Sequence, residues 1–404
     1  MTEIKNIMEQ LIQRFYEKYA QTNTNTIRDF INIVDWNNRM IGIKGARGVG
    51  KTTLLLQYIK KHYQPDNKVL YVSLDHFYFS DNRVYHLADE FQKRGGHLLV
   101  LDEVHRYKNW AIELKNIYDD FHDLKVIFTG SSLLHLQKSN ADLSRRAVMY
   151  QMPGLSFREF VFFETGKQFP VYSLESVLND HIKLTVDLIG KFKPLEYFSS
   201  YLQYGYYPFY LENPAAFHQK LIETIQLVVE VDIPQFEMIQ TSHISYIKKL
   251  LQIIASSAPF KPNLNSISQR TGISLNTLKT YLMYLNKAGL ISSLHTTAKG
   301  INSLNKPEKL FLDNTNMMFS LSGSLVNTGN ARESFFLNQL KHVSKVNASK
   351  YADFLIDDTF TFEIGGANKK QKQIKGIKNS FIVKDNIEIG YENVIPLWIF
   401  GFLY

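Results

Sequence analysis

Eight consecutive residues carry the first chemical signal. Gly45-Ala46-Arg47-Gly48-Val49-Gly50-Lys51-Thr52 satisfies the pattern GxxxxGK(S/T). Glycines in such a loop let backbone N–H groups wrap a phosphate, and the helix after it adds its positive end. Lys51 is then placed to reach the β- and γ-phosphates of a nucleotide, and the Thr52 hydroxyl to ligate Mg²⁺. The expected binding set for the phosphate tail of ATP is Gly45, Ala46, Arg47, Gly48, Val49, Gly50, Lys51, Thr52 and Thr53.

A second element fits the same chemistry. Leu98-Leu99-Val100-Leu101 is an apolar run that ends in Asp102-Glu103. Asp102 would hold Mg²⁺ through its water shell, and Glu103 would polarise an attacking water, the arrangement known as Walker B. The plain alternative is a strand that ends in a charged turn. A third run, Val126-Ile127-Phe128-Thr129, leads into Gly130-Ser131-Ser132. A polar residue there would lie beside the γ-phosphate, and Thr129, Ser131 and Ser132 all qualify; Ser131 is taken as the candidate. Farther on, either Arg145 or Arg146 could act as an arginine finger on a neighbour's nucleotide, which would imply a homo-oligomer. Either could equally be a surface ion-pair residue.

These side chains need strands and helices to position them. Met40 to Lys44, Lys68 to Leu74, His97 to Asp102 and Leu124 to Thr129 are short apolar runs suited to buried parallel strands. Helical patterns separate them at Thr52 to His62, Tyr85 to Arg94 and Trp110 to Phe121. Strands alternating with helices predict an α/β fold with a doubly wound parallel sheet. Before it, Ile4, Ile7, Met8, Leu11, Ile12, Phe15 and Tyr19 recur at three- and four-residue spacing, which predicts an amphipathic helix packed on the body.

A chain of 404 residues exceeds one ordinary domain. The expected divisions are an N-terminal helix (1–24), a P-loop domain (25–152), a helical region (153–242), a winged helix (243–304) and a small α/β domain (305–404). Pro153-Gly154 marks the turn where strand-like runs give way to helical ones. The aromatic run Tyr204, Tyr206, Tyr207, Phe209 and Tyr210 is read as a packed turn, and Val394 to Leu403 as a final strand. No stretch reaches the length of a membrane span, and residues 1–19 contain Glu3, Glu9 and Glu17 with no signal-like apolar core. The chain has no cysteine, which excludes disulfides, thiolate metal sites and a cysteine nucleophile. Its 12 histidines form no metal-binding spacing. The expected location is the cytoplasm.

The formal net charge of +8 is concentrated. Between His243 and Lys309 lie Lys248, Lys249, Lys261, Arg270, Lys279, Lys287, Lys299, Lys306 and Lys309, opposed by Glu308 alone. The remainder of the chain is near neutral. Such a segment suits an anionic partner such as DNA, or is simply a solvated lysine face. Its pattern is that of a helix-turn-helix: helices over His243 to Ser256 and Asn265 to Arg270, a turn at Thr271-Gly272-Ile273-Ser274, then a helix over Leu275 to Ala288. Leu278, Tyr281, Leu282 and Leu285 form the buried face of that last helix. Asn276, Thr277, Lys279, Thr280 and Lys287 face outward, and Gly289-Leu290-Ile291 opens a β-wing.

Together these residues resemble a large bacterial and archaeal family of AAA-type ATPases. Its members join a P-loop domain to a C-terminal region of unknown function, built from a winged helix and a restriction-endonuclease-like domain. The likeness extends to Leu101-Asp102-Glu103-Val104-His105 and to Phe128 through Ser132. It also includes Pro153-Gly154-Leu155-Ser156-Phe157-Arg158-Glu159-Phe160, similar to the family's PLSFxEF signature, and Gly205 through Pro208 and Lys309 through Asp313. The family usually has Gly-Arg where this chain has Arg145-Arg146, so the resemblance places the finger on Arg146. Winged helices in AAA-type proteins also serve as lids or protein-docking surfaces, which leaves a protein partner as the alternative to DNA.

The resemblance further implies an E…D…ExK nuclease core, with Glu333, Asp353 and Glu363 in the right order to hold Mg²⁺. Gly365 stands where the lysine belongs. Lys369 and Lys370 could substitute from a loop; otherwise the fold is retained without cleavage. Lys369, Lys370, Lys372, Lys375, Lys378 and Lys384 form a stretch without acids, either a second nucleic-acid surface or a solvated edge. The expectation is an ATPase with Glu103, Lys51 and Arg146 as catalytic residues and Thr52 and Asp102 as metal ligands. The alternatives are a slow nucleotide-gated switch for a protein partner and an ATP-gated DNA nuclease.

Overall fold

A computed structural model describes residues 2–130, 143–234, 241–297, 307–323, 326–369 and 374–404. The chain divides into two compact units, Met1–Pro153 and Gly154–Tyr404. Among the described residues no helix is long and apolar enough to cross a membrane.

The first unit opens with helix α1, Thr2–Gln21, which buries Met8, Leu11 and Phe15. A short helix α2, Phe30–Ile33, leads to strand β1, Met40–Lys44, and then to helix α3, Lys51–His62. Strand β2, Val69–Ser73, helix α4, Val84–Lys93, strand β3, Leu98–Asp102, helix α5, Trp110–Asp120, and strand β4, Lys125–Gly130, come next in alternation. A fifth strand, β5, covers Val148–Gln151. The sheet order is β2-β3-β4-β1-β5. Every pairing is parallel. This is the doubly wound α/β arrangement that the alternating pattern implies, with helices covering apolar strands on both faces.

Strand β5 escaped the sequence pattern for a physical reason. It lies at the sheet edge, its four residues are exposed or half-buried, and its apolar run, Val148-Met149-Tyr150, is shorter than those of the central strands. Central β1 is the opposite case. A Cβ on Gly42 would lie 2.4 Å from the Met149 sulfur and 2.6 Å from the Phe128 ring, so a side chain there would have to displace both neighbours.

The second unit begins with a helix over Phe157–Thr165. Ser156 caps it and Glu159 completes a capping box, each side chain bonding the other's backbone N–H. Helices over Leu174–Ile189, Pro194–Tyr204 and Phe217–Leu227 come after it, the last running into a π-helical turn at Val228–Asp232. Tyr206, Tyr207 and Tyr210 are buried around a short 3₁₀ turn at Pro208–Leu211. Three helices, Thr241–Ser257, Leu264–Thr271 and Leu275–Lys287, then lead to strand β6, Ile291–Leu294. This strand pairs antiparallel with β7, Lys309–Leu312. Lys309–Leu312 therefore belongs to the hairpin-like ladder after the three helices, although the sequence placed it beyond residue 304 with the C-terminal domain.

Helices Thr315–Ser322 and Thr328–Leu340 precede a five-stranded mixed sheet. Its strands are β8 (Val346–Ala348), β9 (Phe354–Ile356), β10 (Phe360–Gly365), β11 (Ser380–Lys384) and β12 (Val394–Pro396), in the order β12-β11-β10-β9-β8. The expected final strand over Val394 to Leu403 is only three residues long. After Pro396 the chain turns into a 3₁₀ helix, Leu397–Phe402, with every side chain buried. A fully buried apolar run carries no period that distinguishes strand from helix.

Candidate nucleotide site

The phosphate-binding loop joins β1 to α3. Gly48 and Gly50 sit at φ 86° and 94°, conformations that a side chain resists. Gly45 packs so tightly that an added Cβ would lie 2.5 Å from the Met152 carbonyl oxygen. Gly50 is the N-cap of α3 and supplies no side-chain cap, so backbone amides alone face outward at the positive end of the helix. Val49 is fully buried and anchors the loop from below. The buried Arg28 guanidinium donates to the Val49 carbonyl at 3.0 Å and the Pro153 carbonyl at 2.7 Å, which braces the same loop. Lys51 is buried and its Nζ donates to the carbonyls of Gly45 and Ala46, both at 3.0 Å. Thr52 is half-buried and Thr53 exposed on the first turn of α3.

Asp102, at the end of β3, gathers the remaining polar groups. The Thr52 hydroxyl donates to its Oδ2 at 2.6 Å and the Tyr71 hydroxyl to the same oxygen at 2.7 Å. The Thr129 hydroxyl donates to Oδ1, and the Glu103 backbone N–H reaches Oδ1 at 3.2 Å and the Thr129 hydroxyl oxygen at 3.3 Å. Asp102 and Thr129 are both buried. Burial, then the Asp102 charge beside it, pushes the Tyr71 hydroxyl far above its ordinary pKa of 10.0, so it stays a donor.

Glu103 adopts a left-handed conformation, φ 53° and ψ 40°, at the start of a 3₁₀ turn over Val104–Arg106. For a residue with a side chain this costs on the order of 1 kcal/mol or more, and such outliers cluster at functional sites. Its carboxylate lies 3.5 Å from the His105 Nε2 and 3.9 Å from the Arg47 guanidinium. Arg47 thus links the phosphate loop to the acid after β3.

The structure sorts the sequence candidates. Lys51, Thr52, Asp102 and Glu103 come together with the loop amides. Thr129, one of three candidates for the position beside the γ-phosphate, contacts both acidic residues; Ser131, the candidate taken, and Ser132 lie outside the described residues. Arg146 is committed elsewhere. Its Nε and Nη2 both donate to Asp119 of α5 at 2.8 Å, a bidentate pair at the surface. The arginine pair pulls the Asp119 carboxyl below its ordinary value. This surface pair with Asp119 is the geometry of the ion-pair reading; the finger reading concerns a neighbouring subunit's nucleotide. Tyr71 and Arg28 were not singled out in the sequence. Tyr71 sits in an apolar strand where its hydroxyl gives no pattern, and a buried phenol is the one available clue.

Residues 37–161 match the family model described as an AAA domain. The matched segment takes in the glycine loop, strand β3 with Asp102 and the turn at Pro153. Residues 195–325 match a model described as a domain of unknown function (DUF8612). Two uncharacterized proteins of Methanocaldococcus jannaschii are similar in sequence. MJ1637 is 26% identical over 67% of this chain, and the match spans 60% of that protein. MJ1544 is 24% identical over 91% of this chain and 89% of its own length. Among solved structures, a Walker-type ATPase of Pyrococcus abyssi aligns with 71% of this chain and 91% of its own, at 15% identity and a TM-score of 0.38. AMPPCP-bound DnaA from Aquifex aeolicus aligns with 64% of this chain and 86% of its own, at 16% identity and a TM-score of 0.24.

The second unit holds the other candidate cluster. Glu333, on the helix before the mixed sheet, pairs with Lys309 of β7, which also lies 3.9 Å from Asp353. Glu363 of β10 pairs with Lys369. Asp353 Oδ2 accepts from the Ile364 N–H at 2.9 Å. Burial, then Asp353, raises the Glu333 carboxyl, and burial also raises Glu363 against the opposing pull of Lys369. The three acids do converge, and Lys369 reaches Glu363 from the loop. Yet among the described residues no three acids or histidines are placed to hold a metal ion. Lys370 and Lys372 lie outside the described residues. Lys384, expected in a solvent-facing basic stretch, is buried with its Nζ 3.1 Å from the Tyr391 hydroxyl.

The basic segment also changes character. Lys248 pairs with Glu230 and Lys261 with Glu308, while Lys309 is held by Glu333. Acids from outside the segment therefore cancel part of its charge, a pairing invisible to a count along the chain. Lys249, Arg270, Lys279 and Lys287 make no ion pair among the described residues. Lys299 and Lys306 lie outside them.

Proposed function

We propose that the protein is a Mg²⁺-dependent ATPase whose cycle acts through its second unit. The carrying observation is the meeting of Thr52, Asp102, Thr129 and Glu103 beside the glycine loop. A Mg²⁺ site of this kind uses one or two carboxylates plus phosphate oxygens, so the Thr52 hydroxyl and Asp102 carboxylate, 2.6 Å apart, suit it. Bound there with ATP, the ion would draw charge from the β- and γ-phosphate oxygens.

The chain's own groups supply the rest. Loop amides and Lys51 hold the triphosphate tail, and Asp102 orients the Thr52 hydroxyl. Glu103 orients water toward the γ-phosphorus and takes its proton as the new O–P bond forms. The bond from the γ-phosphorus to the bridging oxygen breaks, leaving ADP and phosphate. Thr129, bonded to Asp102 and to the Glu103 backbone, keeps the two acids in register.

A slow nucleotide-gated switch is the second reading, favoured by one feature: the Glu103 carboxylate lies near two cationic or donor side chains, Arg47 and His105. A nuclease reading has weaker support, since lysines neutralise the C-terminal acids. The three helices and β6–β7 ladder support a winged-helix reading of residues 241–312. Among the described residues there, Lys249 and Arg270 are exposed and Lys279 and Lys287 half-buried, the basic groups DNA would meet; a protein partner is the alternative. Phosphate release by wild type and Glu103→Gln, with and without DNA, tests the assignment. Steady turnover that collapses in the variant supports the ATPase. ATP binding with negligible turnover in both proteins supports the switch.

A further inference from the structure

We propose that Tyr71 is a positioning residue that sets the Asp102 carboxylate for the metal ion, an inference that rests on the ATPase reading. Tyr71 lies in edge strand β2, where Ser73 pairs with Asp102 in register. Successive side chains alternate across a sheet, so Tyr71 and Ser73 share a face. From two residues back, the ring of Tyr71 reaches diagonally along that face and delivers its hydroxyl to Asp102 Oδ2 at 2.7 Å.

The geometry is specific in three ways. First, Oδ2 is the same oxygen that accepts from Thr52 at 2.6 Å, so Tyr71 acts on the side of the carboxylate that faces the metal's hydroxyl ligand. Second, Thr129 and the Glu103 N–H occupy Oδ1, so the two oxygens are held from opposite sides and the carboxylate plane cannot rotate freely. Third, Tyr71 is 3% exposed in a strand whose neighbours Val69, Leu70 and Val72 are wholly apolar. A buried hydroxyl needs a partner, and here the partner is the single acid that would hold the metal's water shell.

The ring is fixed from its other side as well. The Lys18 ammonium of α1 lies 4.9 Å from the Tyr71 ring centroid. Helix α1 is further tied down by the Lys60 ammonium, which donates to the Ala20 and Thr22 carbonyls at 3.0 and 2.8 Å. The N-terminal helix thus braces the outer strand from which the carboxylate is positioned.

The test uses the full chain with Tyr71→Phe, which keeps the ring and removes only the hydroxyl. ATP affinity is measured with a fluorescent ATP analogue in EDTA and across a Mg²⁺ titration, and turnover is followed over the same titration. Outer-shell partners of a metal ligand typically contribute about 10-fold or more to metal affinity. The expected result is a roughly 10-fold rise in the Mg²⁺ concentration giving half-maximal effect. Affinity in EDTA and turnover at saturating Mg²⁺ should stay close to wild type. Adding Tyr71→Phe to Asp102→Asn should change nothing further, because the hydroxyl acts through that carboxylate.

A Mg²⁺ response equal to wild type, or an additive effect in the double variant, overturns the proposal. So does a fall in turnover at saturating Mg²⁺ with no shift in Mg²⁺ dependence. Wild-type protein that neither binds nor hydrolyses ATP instead overturns the underlying ATPase reading.

Discussion

The Thr52 hydroxyl and the Asp102 carboxylate lie 2.6 Å apart, though one opens α3 and the other closes β3. Parallel strands cause this meeting: β1 and β3 flank β4 and all three point the same way, so the loops leaving them emerge at one edge of the sheet. Ligands in open parallel sheets bind outside those carboxyl ends.

Glu103→Gln removes the proposed proton acceptor while keeping size and the left-handed turn. It should lower turnover at least about 100-fold with ATP affinity kept within a fewfold, since general-base groups contribute about 10² to 10⁴. Phosphate release and nucleotide titration on the same preparation give both quantities.

Arg146→Ala should leave turnover within about twofold of wild type, whereas loss of a true arginine finger costs about 10³ or more. The reason is the Asp119 pair, which already engages two of its nitrogens. A thousandfold loss would mean that Arg146 leaves Asp119 during turnover.

Lys309→Met should destabilise the second unit by about 2 kcal/mol, because it strands Glu333 and Asp353 beside each other in a partly buried site. Denaturant unfolding of the full chain measures this, and added Mg²⁺ should not restore wild-type stability if lysine rather than metal balances these acids.

Glu333 also sets a pH dependence. Its folded carboxyl titrates above the ordinary 4.5, so the folded state holds this proton more tightly than the unfolded chain does. The resulting stabilisation is complete below pH 4.5 and is lost as pH rises through the raised value. Glu333→Gln should therefore gain stability relative to wild type as pH rises from the ordinary 4.5 through the raised value. A difference between the two proteins that stays constant over this range would contradict the assignment.

How much of this was legible in the sequence depended on whether each feature was local. The glycine loop, Lys51 and Thr52 are contiguous, and Asp102 and Glu103 end an unbroken apolar run, so spacing alone brought them forward as candidates. Tyr71 was hidden because its hydroxyl matters only through a partner on the next strand. The charge counted over residues 243–309 is partly offset in space, because Glu230 and Glu333 lie outside that segment yet pair with its lysines. Arg146 had two readings in the sequence, and the ion-pair one depends on Asp119 of α5, which no spacing along the chain reveals.

The most direct test of the account is ATP affinity measured in Mg²⁺ for wild type and Lys51→Ala. The loop amides and this ammonium group should bind the triphosphate together, so the variant should lose affinity at least about 10-fold, as for removal of a charged hydrogen bond. Equal affinity in the two proteins, or no affinity in wild type, would contradict it.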